Sequence, residues 1–305
     1  MRTLSALAVI TALSGAGAAS AATINPWDVI SHANAVVFGS GSTSADIEGQ
    51  AIIGGSFSGA TVDLSPSTTP YGGYPALAVY GALSGNLNVN SGGSVYVGGG
   101  DSATVNFNGG GGFVGLPASA PTTITPFQTA FDTLSTQLAG LTANSVTPTA
   151  MNQAMFNATP VGGVAVFDIT AAQLSGINDF SINANGAKTI VINVAGTNIN
   201  FNSNDDNFSN YTTDGKVIWN FYQATTVSLN RELGGTVLAV GAQLTNNNAI
   251  DGTLVAATWD GNGELHNHLY VGTVPEPATW AMMVLGVAGV GASLRRQRRR
   301  AAAVA

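Results

Sequence analysis

Residues 217–239 read VIWNFYQATTVSLNRELGGTVLA and hold three strand-length runs: Val217-Ile218-Trp219-Asn220-Phe221, Thr226-Val227-Ser228-Leu229 and Thr236-Val237-Leu238-Ala239. A period of two sends successive side chains to opposite faces, so each run predicts a strand with one buried and one wet face. The same pattern recurs outward along the chain. It appears in Asn86-Leu87-Asn88-Val89-Asn90, Ser94-Val95-Tyr96-Val97 and Thr104-Val105-Asn106-Phe107-Asn108, then in Ile190-Val191-Ile192-Asn193-Val194 and Asn198-Ile199-Asn200-Phe201-Asn202. Gly and Asn between the runs supply the positive φ of tight turns. Val95 to Val105, Val217 to Val227 and Val227 to Val237 are steps of ten residues; other steps are irregular.

Many short strands with close turns predict a mainly β fold. The expected body is an irregular right-handed β-solenoid (β-helix), because stacked Asn side chains can bond from layer to layer. A two-sheet β-sandwich is the alternative. Two helices interrupt the pattern. Asn25-Pro26 caps a short helix running to about His32. A long one starts at Thr125-Pro126, with Thr125 and Gln128 spaced as a capping box. Phe127, Ala130, Phe131, Leu134, Leu138 and Leu141 form one apolar stripe, predicting a helix packed alongside the β body, with Ser135 on its polar face. The Gly/Pro/Ser-rich stretch from Gly109 to Thr123 reads as a crossing loop.

Composition narrows the function. The chain has 305 residues, 39 Gly, 27 Asn, no Cys and 8% charged residues. Without Cys, disulfide scaffolds and cysteine-ligated metal sites are excluded. Between Thr23 and Thr273 lie three basic residues and fifteen acids, a net charge of −12. Such a body repels phosphate backbones, so no nucleic-acid partner is expected.

The ends read as addresses. Residues 1–22 fit a signal peptide: Arg2, an apolar Leu4–Leu13 core and Ala19-Ser20-Ala21 before the cleavage point. Residues 23–273 form the extracellular β domain. The segment 274–300 opens with Pro275, Glu276 and Pro277, continues as an apolar transmembrane helix over 278–294, and ends in Arg295, Arg296, Arg298, Arg299 and Arg300. These arginines hold the cytoplasmic side. The segment closely resembles the PEP-CTERM sorting signal. That resemblance implies signal peptidase and an exosortase as export partners, in a Gram-negative bacterium making exopolysaccharide. The chain would cross the inner membrane, be anchored transiently by its C-terminal helix, and end on the outer surface or in the extracellular matrix.

The body resembles the choice-of-anchor A family. The resemblance is carried by Ala35-Val36-Val37-Phe38-Gly39, Asp46-Ile47-Glu48-Gly49, Ile52-Ile53-Gly54-Gly55-Ser56-Phe57 and Trp219-Asn220-Phe221. It continues in Gly235-Thr236-Val237-Leu238-Ala239, Ile250-Asp251-Gly252 and Glu264-Leu265-His266-Asn267. Val240 stands where that family commonly has Pro. The resemblance implies an adhesive or surface-structural role and brings no catalytic residues.

Among chemical candidates, Glu264, His266 and His268 share one face of a strand at i, i+2 and i+4, a spacing that suits a metal. Asn204, Asp205 and Asp206, within Asn202–Asn207, offer oxygen ligands of the kind Ca²⁺ takes, with Asp214 nearby in sequence. No other cofactor is expected. Gly110-x-Gly112-x-x-Gly115 leads into Leu116-Pro117 rather than a helix, so it is not a dinucleotide loop. There is no Gly-x-Ser-x-Gly elbow. Trp219, Tyr222, Tyr211 and Tyr96 are candidates for stacking on sugars.

The leading expectation is a non-enzymatic, adhesin-like surface or matrix protein of a biofilm, associating with exopolysaccharide or other surface proteins. A carbohydrate-active enzyme or polysaccharide-binding module on a β-helix is the alternative. Ice binding ranks third, because it calls for a regular Thr-x-Thr array that the sequence lacks. Mass spectrometry of secreted material checks the processing: no peptide spanning Trp280 to Leu294 is expected, and its recovery would favour a permanent membrane anchor.

Overall fold

The computed structural model describes residues 23–273 except 60, 64–68 and 209, and leaves aside the side chain of Tyr211. The signal peptide, the Pro275-Glu276-Pro277 motif, the 278–294 helix and the arginine tail lie outside the described residues. No helix among the described residues is long and apolar enough to cross a membrane.

The body is mainly β, with short helices and one long one. Its strands join three sheets of fourteen, seven and three strands, and all paired strands run parallel. The spine of the largest sheet runs Val95–Val97, Leu77–Val79, Gln50–Ile53, Ala33–Val37, Leu254–Gly261, Thr236–Asn246, Val217–Asn220, Thr189–Ala195 and Val164–Thr170. The first strand of the chain thus sits mid-sheet. The chain builds outward from it to Val95–Val97. It then crosses to the opposite edge at Val164–Thr170 and builds back to the centre. Ala33–Val37 closes the sheet against Leu254–Gly261, with Ala35, Val36 and Val37 opposite Leu254, Val255 and Ala256.

The crossing is made by helix α2 (Thr125–Ala139), which follows the short helix α1 (Pro26–Ile30). Asn25 caps α1 as expected, accepting the Trp27 N–H, although that helix ends at Ile30 rather than His32. The capping box of α2 does not form. Ile124 is already helical (φ −72°, ψ −16°) and takes the cap position, so Thr125 lies one residue inside. A true capping box closes α3 (Ala171–Ser175), where Thr170 and Gln173 bond reciprocally.

The spine strands are buried on both faces, and this explains their near-continuous apolar letters. One set of side chains, including Phe156, Phe167, Phe180, Phe201 and Trp219, fills the interior between sheets. These five rings meet edge to face at 5.3–6.2 Å. The opposite set, including Val36, Ile52, Val191, Ile218, Leu238 and Val255, packs under Phe127, Phe131, Leu134 and Leu138 of α2. Fully burying each such side chain is worth ~1.5–3 kcal/mol.

Ser135, expected on the wet face of α2, is buried instead. Its hydroxyl donates to Asn220 Oδ1 at 2.6 Å. Asn220 Nδ2 donates to Ser135 O and to Asn193 Oδ1, both at 2.9 Å. A polar rivet thus fixes the helix to the sheet inside an apolar layer, where unpaired groups would be costly.

Ten residues is not the stacking interval. Val95 pairs with Leu77 and Thr104 with Asn86, so layers here are eighteen residues apart; in the second half Val227 pairs with Ile199 and Leu244. The ten-residue steps carry the chain from one strand to the next along its coil, and the step from Val227 to Val237 already enters the following layer. The expected asparagine ladders do form. Asn106 bonds Asn88 and Asn108 bonds Asn90. Asn230 bonds Asn200 and Asn202, Asn247 bonds Asn230, and Asn262 bonds Asn247, at 2.7–3.1 Å.

One side chain cross-links the central seam. Buried Asn34 donates to Gly252 O at 3.0 Å and to His266 O at 2.8 Å. Gly49 is required beside it, because a Cβ there would fall on Asn34 Oδ1. Asn34→Ala leaves two carbonyls without their donor, at ~1–3 kcal/mol each. Urea unfolding is expected to show a loss of ~2–4 kcal/mol, while exposed Asn86→Ala stays within ~0.5 kcal/mol.

Candidate functional site

Two surface features stand out. The first is an exposed sheet face built by seven strands in register. It runs through Asn198–Phe201, Thr226–Leu229, the ends of Thr236–Asn246 and Leu254–Gly261, then Gly41–Thr43, Phe57–Ser58 and Leu83–Ser84. Alternation sends Ile199, Val227, Leu244, Trp259, Phe57 and Leu83 inward. The outward positions fall in two rows. One reads Asn198, Thr226, Gln243, Thr258. The other reads Asn200, Ser228, Thr245, Asp260, Ser42, Ser58, Ser84.

Parallel strands lie ~4.8 Å apart, so the longer row spans ~29 Å, and the two rows are ~6.6 Å apart along the strands. The row residues are small and polar, and Asp260 alone is charged. Hydrogen bonds hold some of them in place: Thr226 Oγ1 donates to Asn198 Oδ1 at 2.8 Å, and Ser42 Oγ to Asp260 Oδ1 at 3.0 Å. The array is assembled from seven distant segments, so no run of sequence displays it.

The second feature is a cluster at the seam. Ile250–Asp251 and Leu265–His266 are adjacent parallel strands of the seven-stranded sheet, with Asp251 directly opposite His266. Asp251 is fully buried. His266 Nδ1 contacts its Oδ1, and His268 Nδ1 lies 3.3 Å from its Oδ2. His266 Nε2 is 3.1 Å from Glu264 Oε2. Glu48, from the far end of the chain, accepts the Asn267 N–H at 3.1 Å. The structure therefore brings Glu264, His266 and His268 together as the spacing predicts. It adds Asp251, brought in by strand pairing, and Glu48, brought in across the seam, neither of which local sequence reading could find.

The Asn202–Asn207 segment is arranged differently. Asn204 and Asp206 are exposed, whereas Asp205 is buried. Its carboxylate accepts the Gly234 N–H at 3.0 Å and the Asn207 N–H at 2.9 Å. Asp205 and Asp206 belong to neither group of converging ligand atoms found among the described residues. Of the aromatic candidates, Trp219 is core, Tyr96 packs against Tyr80, and Tyr222 is exposed; the Tyr211 side chain lies outside the described residues.

Burial, then the charges of Asp205 and Asp251, push the Asp214 carboxyl up to about 8. Burial lifts Asp205 to about 6, against the lowering effect of its two N–H donors. The hydrogen bond to Asp251 raises His266 to about 9, aided by Glu264 and opposed by burial. All three folded values exceed the unfolded ones, 3.8 for Asp and 6.5 for His. Their stabilisation is complete below the unfolded values and is lost as pH rises through the folded ones. The melting temperature is expected to fall from pH 5 to 9.5, and Asp214→Asn should flatten the part below about 8. A melting temperature that climbs over that range would contradict this ionisation pattern.

Residues 26–267 match the family described as "Putative Ice-binding-like adhesive domain". Residues 273–299 match the PEP-CTERM protein-sorting motif, which marks a chain for export and exosortase sorting to the cell surface in Gram-negative bacteria. The match supports the adhesive-domain reading of the body without carrying the choice-of-anchor A name. No curated protein matches the chain. Among solved structures, it is similar to an ice-binding protein from the Antarctic ascomycete Antarctomyces psychrotrophicus: 11% identity, TM-score 0.36, 83% of this chain and 100% of that one. It is also similar to the DUF3494 domain of a Shewanella frigidimarina ice-binding protein: 11% identity, TM-score 0.32, 82% of this chain and 98% of that one. A third is an ice-binding protein from an Antarctic Flavobacteriaceae bacterium: 12% identity, TM-score 0.31, 80% of this chain and 81% of that one. With the family match spanning most of its length, this chain belongs to the ice-binding-like adhesive domain family.

Proposed function

We propose that this is a non-enzymatic surface adhesin, released to the cell exterior by exosortase processing. Its two-row face would hold repetitive, hydroxyl-bearing polymers such as exopolysaccharide. The observation that supports this reading is the registered array of small polar side chains, because a fixed repeat on the protein suits a repeat on the ligand. Amides and hydroxyls both donate and accept, so they match sugar hydroxyls without a charged partner. The buried carboxylates Asp205, Asp214 and Asp251 sit in the interior rather than flanking an open cleft, which disfavours a glycosidase pair.

The finer architecture belongs to the same proposal. The fourteen-stranded sheet supplies two sides of one irregular right-handed β-solenoid, its spine and the two-row face, and the smaller sheets supply the third. Two features support this: successive strands pair with strands of adjacent layers rather than with each other, and parallel crossovers are right-handed in nearly all known cases.

Ice is the second reading. It is favoured by the family match and by the same two rows, which place Thr226-x-Ser228 beside Gln243-x-Thr245 in register. The Thr-x-Thr array missing from the sequence is approximated across strands rather than along one.

The test is retention of the full chain on exopolysaccharide-coated surfaces and its partitioning into slowly grown ice. Thr226→Lys with Thr258→Lys places two long charged side chains in the first row without touching the core. Retention is expected to fall at least tenfold, with Asn88→Lys on the other sheet unchanged. Loss of ice partitioning alone would select the ice reading, and release of reducing sugar from the polymer would overturn the non-enzymatic one.

A further inference from the structure

We propose that Asp251, His266 and His268 form a binding site for a divalent transition-metal ion of the zinc class, with Glu264 orienting one ligand. One ligand atom from each of the three lies within 4.8 Å of the other two. Tetrahedral zinc with bonds of ~2.0–2.1 Å sets its ligand atoms ~3.3 Å apart, a spacing His268 Nδ1 already has from Asp251 Oδ2, while His266 and Asp251 must open from their direct contact to admit the ion. The two histidines approach different oxygens of the one carboxylate.

Three further features fit a metal centre. Glu264 holds the far ring nitrogen of His266 at 3.1 Å. A carboxylate there accepts the Nε2 proton, so that an ion replacing the Nδ1 proton finds that nitrogen already oriented, the usual support of a metal-binding histidine. Asn34 bonds the backbone beside Asp251 and that of His266 itself, so both ligand-bearing strands are clamped by one buried side chain. His266 and His268 keep 22% and 25% of their side-chain surface open, which gives an ion a way in and leaves an outer position for water. Two imidazoles and one carboxylate are the donors of zinc, nickel and copper sites, whereas Ca²⁺ asks for six to eight oxygens.

The experiment is calorimetric titration of the untagged full chain with ZnCl₂, followed by Co²⁺ loading and visible spectroscopy. One Zn²⁺ per chain is expected, with Kd at or below ~10⁻⁵ M, undisturbed by millimolar Ca²⁺ or Mg²⁺. His268→Gln should weaken binding at least tenfold, and Glu264→Gln by ~10-fold. His32→Gln, at the end of α1, should change nothing. Circular dichroism melts confirm that each variant is folded; if His266→Gln or Asp251→Asn unfolds, the exposed-side variant His268→Gln still decides. Four-coordinate Co²⁺ absorption bands that vanish in His268→Gln would support the site. Absence of saturable Zn²⁺ binding, or binding unchanged in His268→Gln, would overturn the proposal.

Discussion

The fold depends on the seam between Ala33–Val37 and Leu254–Gly261. In most parallel sheets a central strand has neighbours supplied by nearby sequence. Here the largest sheet is continuous only because the first strand meets the last. Each half therefore leaves an open edge at its inner end until the other arrives. Such a closure carries a high loop-entropy cost, which the chain offsets with local reinforcement. Thr253 Oγ1 bonds Ile30 O and Ala33 O, Asn34 bonds Gly252 O and His266 O, and Tyr270 N bonds Ile30 O. The helix α2 is the second brace. Its four large apolar side chains belong to one buried cluster with Val36 and Ile52 from one side of the seam and Ile218, Leu238 and Val255 from the other.

Asparagine serves two physical roles that composition alone does not separate. On exposed edges its amide bonds the equivalent amide of the next layer, as in Asn202–Asn230–Asn247–Asn262. There each bond competes with water and contributes modestly. In the interior Asn34, Asn193, Asn220 and Asn246 each satisfy backbone or amide groups that no water reaches. Asn246 also accepts the indole N–H of Trp259 at 2.7 Å, which lets a large ring sit in the core with its polar atom paired. A chain with almost no charged residues thus builds its specificity from neutral amides.

The strands were legible because alternation is local. Trp219, Val227 and Leu229 fall inside as their period requires, and the apolar stripe of α2 lies buried at Phe127, Phe131, Leu134 and Leu138. Apart from the α2 capping box, which fails locally because Ile124 is already helical, the failures come from partners remote in sequence. Asn193, Asn220 and Ser135 look like solvent-facing letters until the helix is laid over the sheet. The ten-residue spacing of valines measures the step from one strand to the next, whereas stacking intervals of fifteen to twenty-eight residues appear only once strands are paired. Three of the five residues of the histidine cluster, Glu264, His266 and His268, were visible in the sequence. Asp251 arrives through strand pairing, and Glu48 only through the seam.

The seam also explains why the two surface features differ in character. On the two-row face, every layer but the one carrying Asp260 contributes only hydroxyls and amides, at ~4.8 Å intervals, because each strand repeats the inward–outward choice of its neighbour. Repetition produces an extended surface with no single privileged point. At the seam repetition is broken, since layers from opposite ends of the chain meet there and no shared pattern governs what they juxtapose. Asp251, Glu264, His266 and His268 meet between adjacent layers beside that discontinuity, and Glu48 joins them across it. Extended recognition and point chemistry therefore occupy different parts of one fold, and the feature that separates them is where the chain begins and ends its circuit of the sheet.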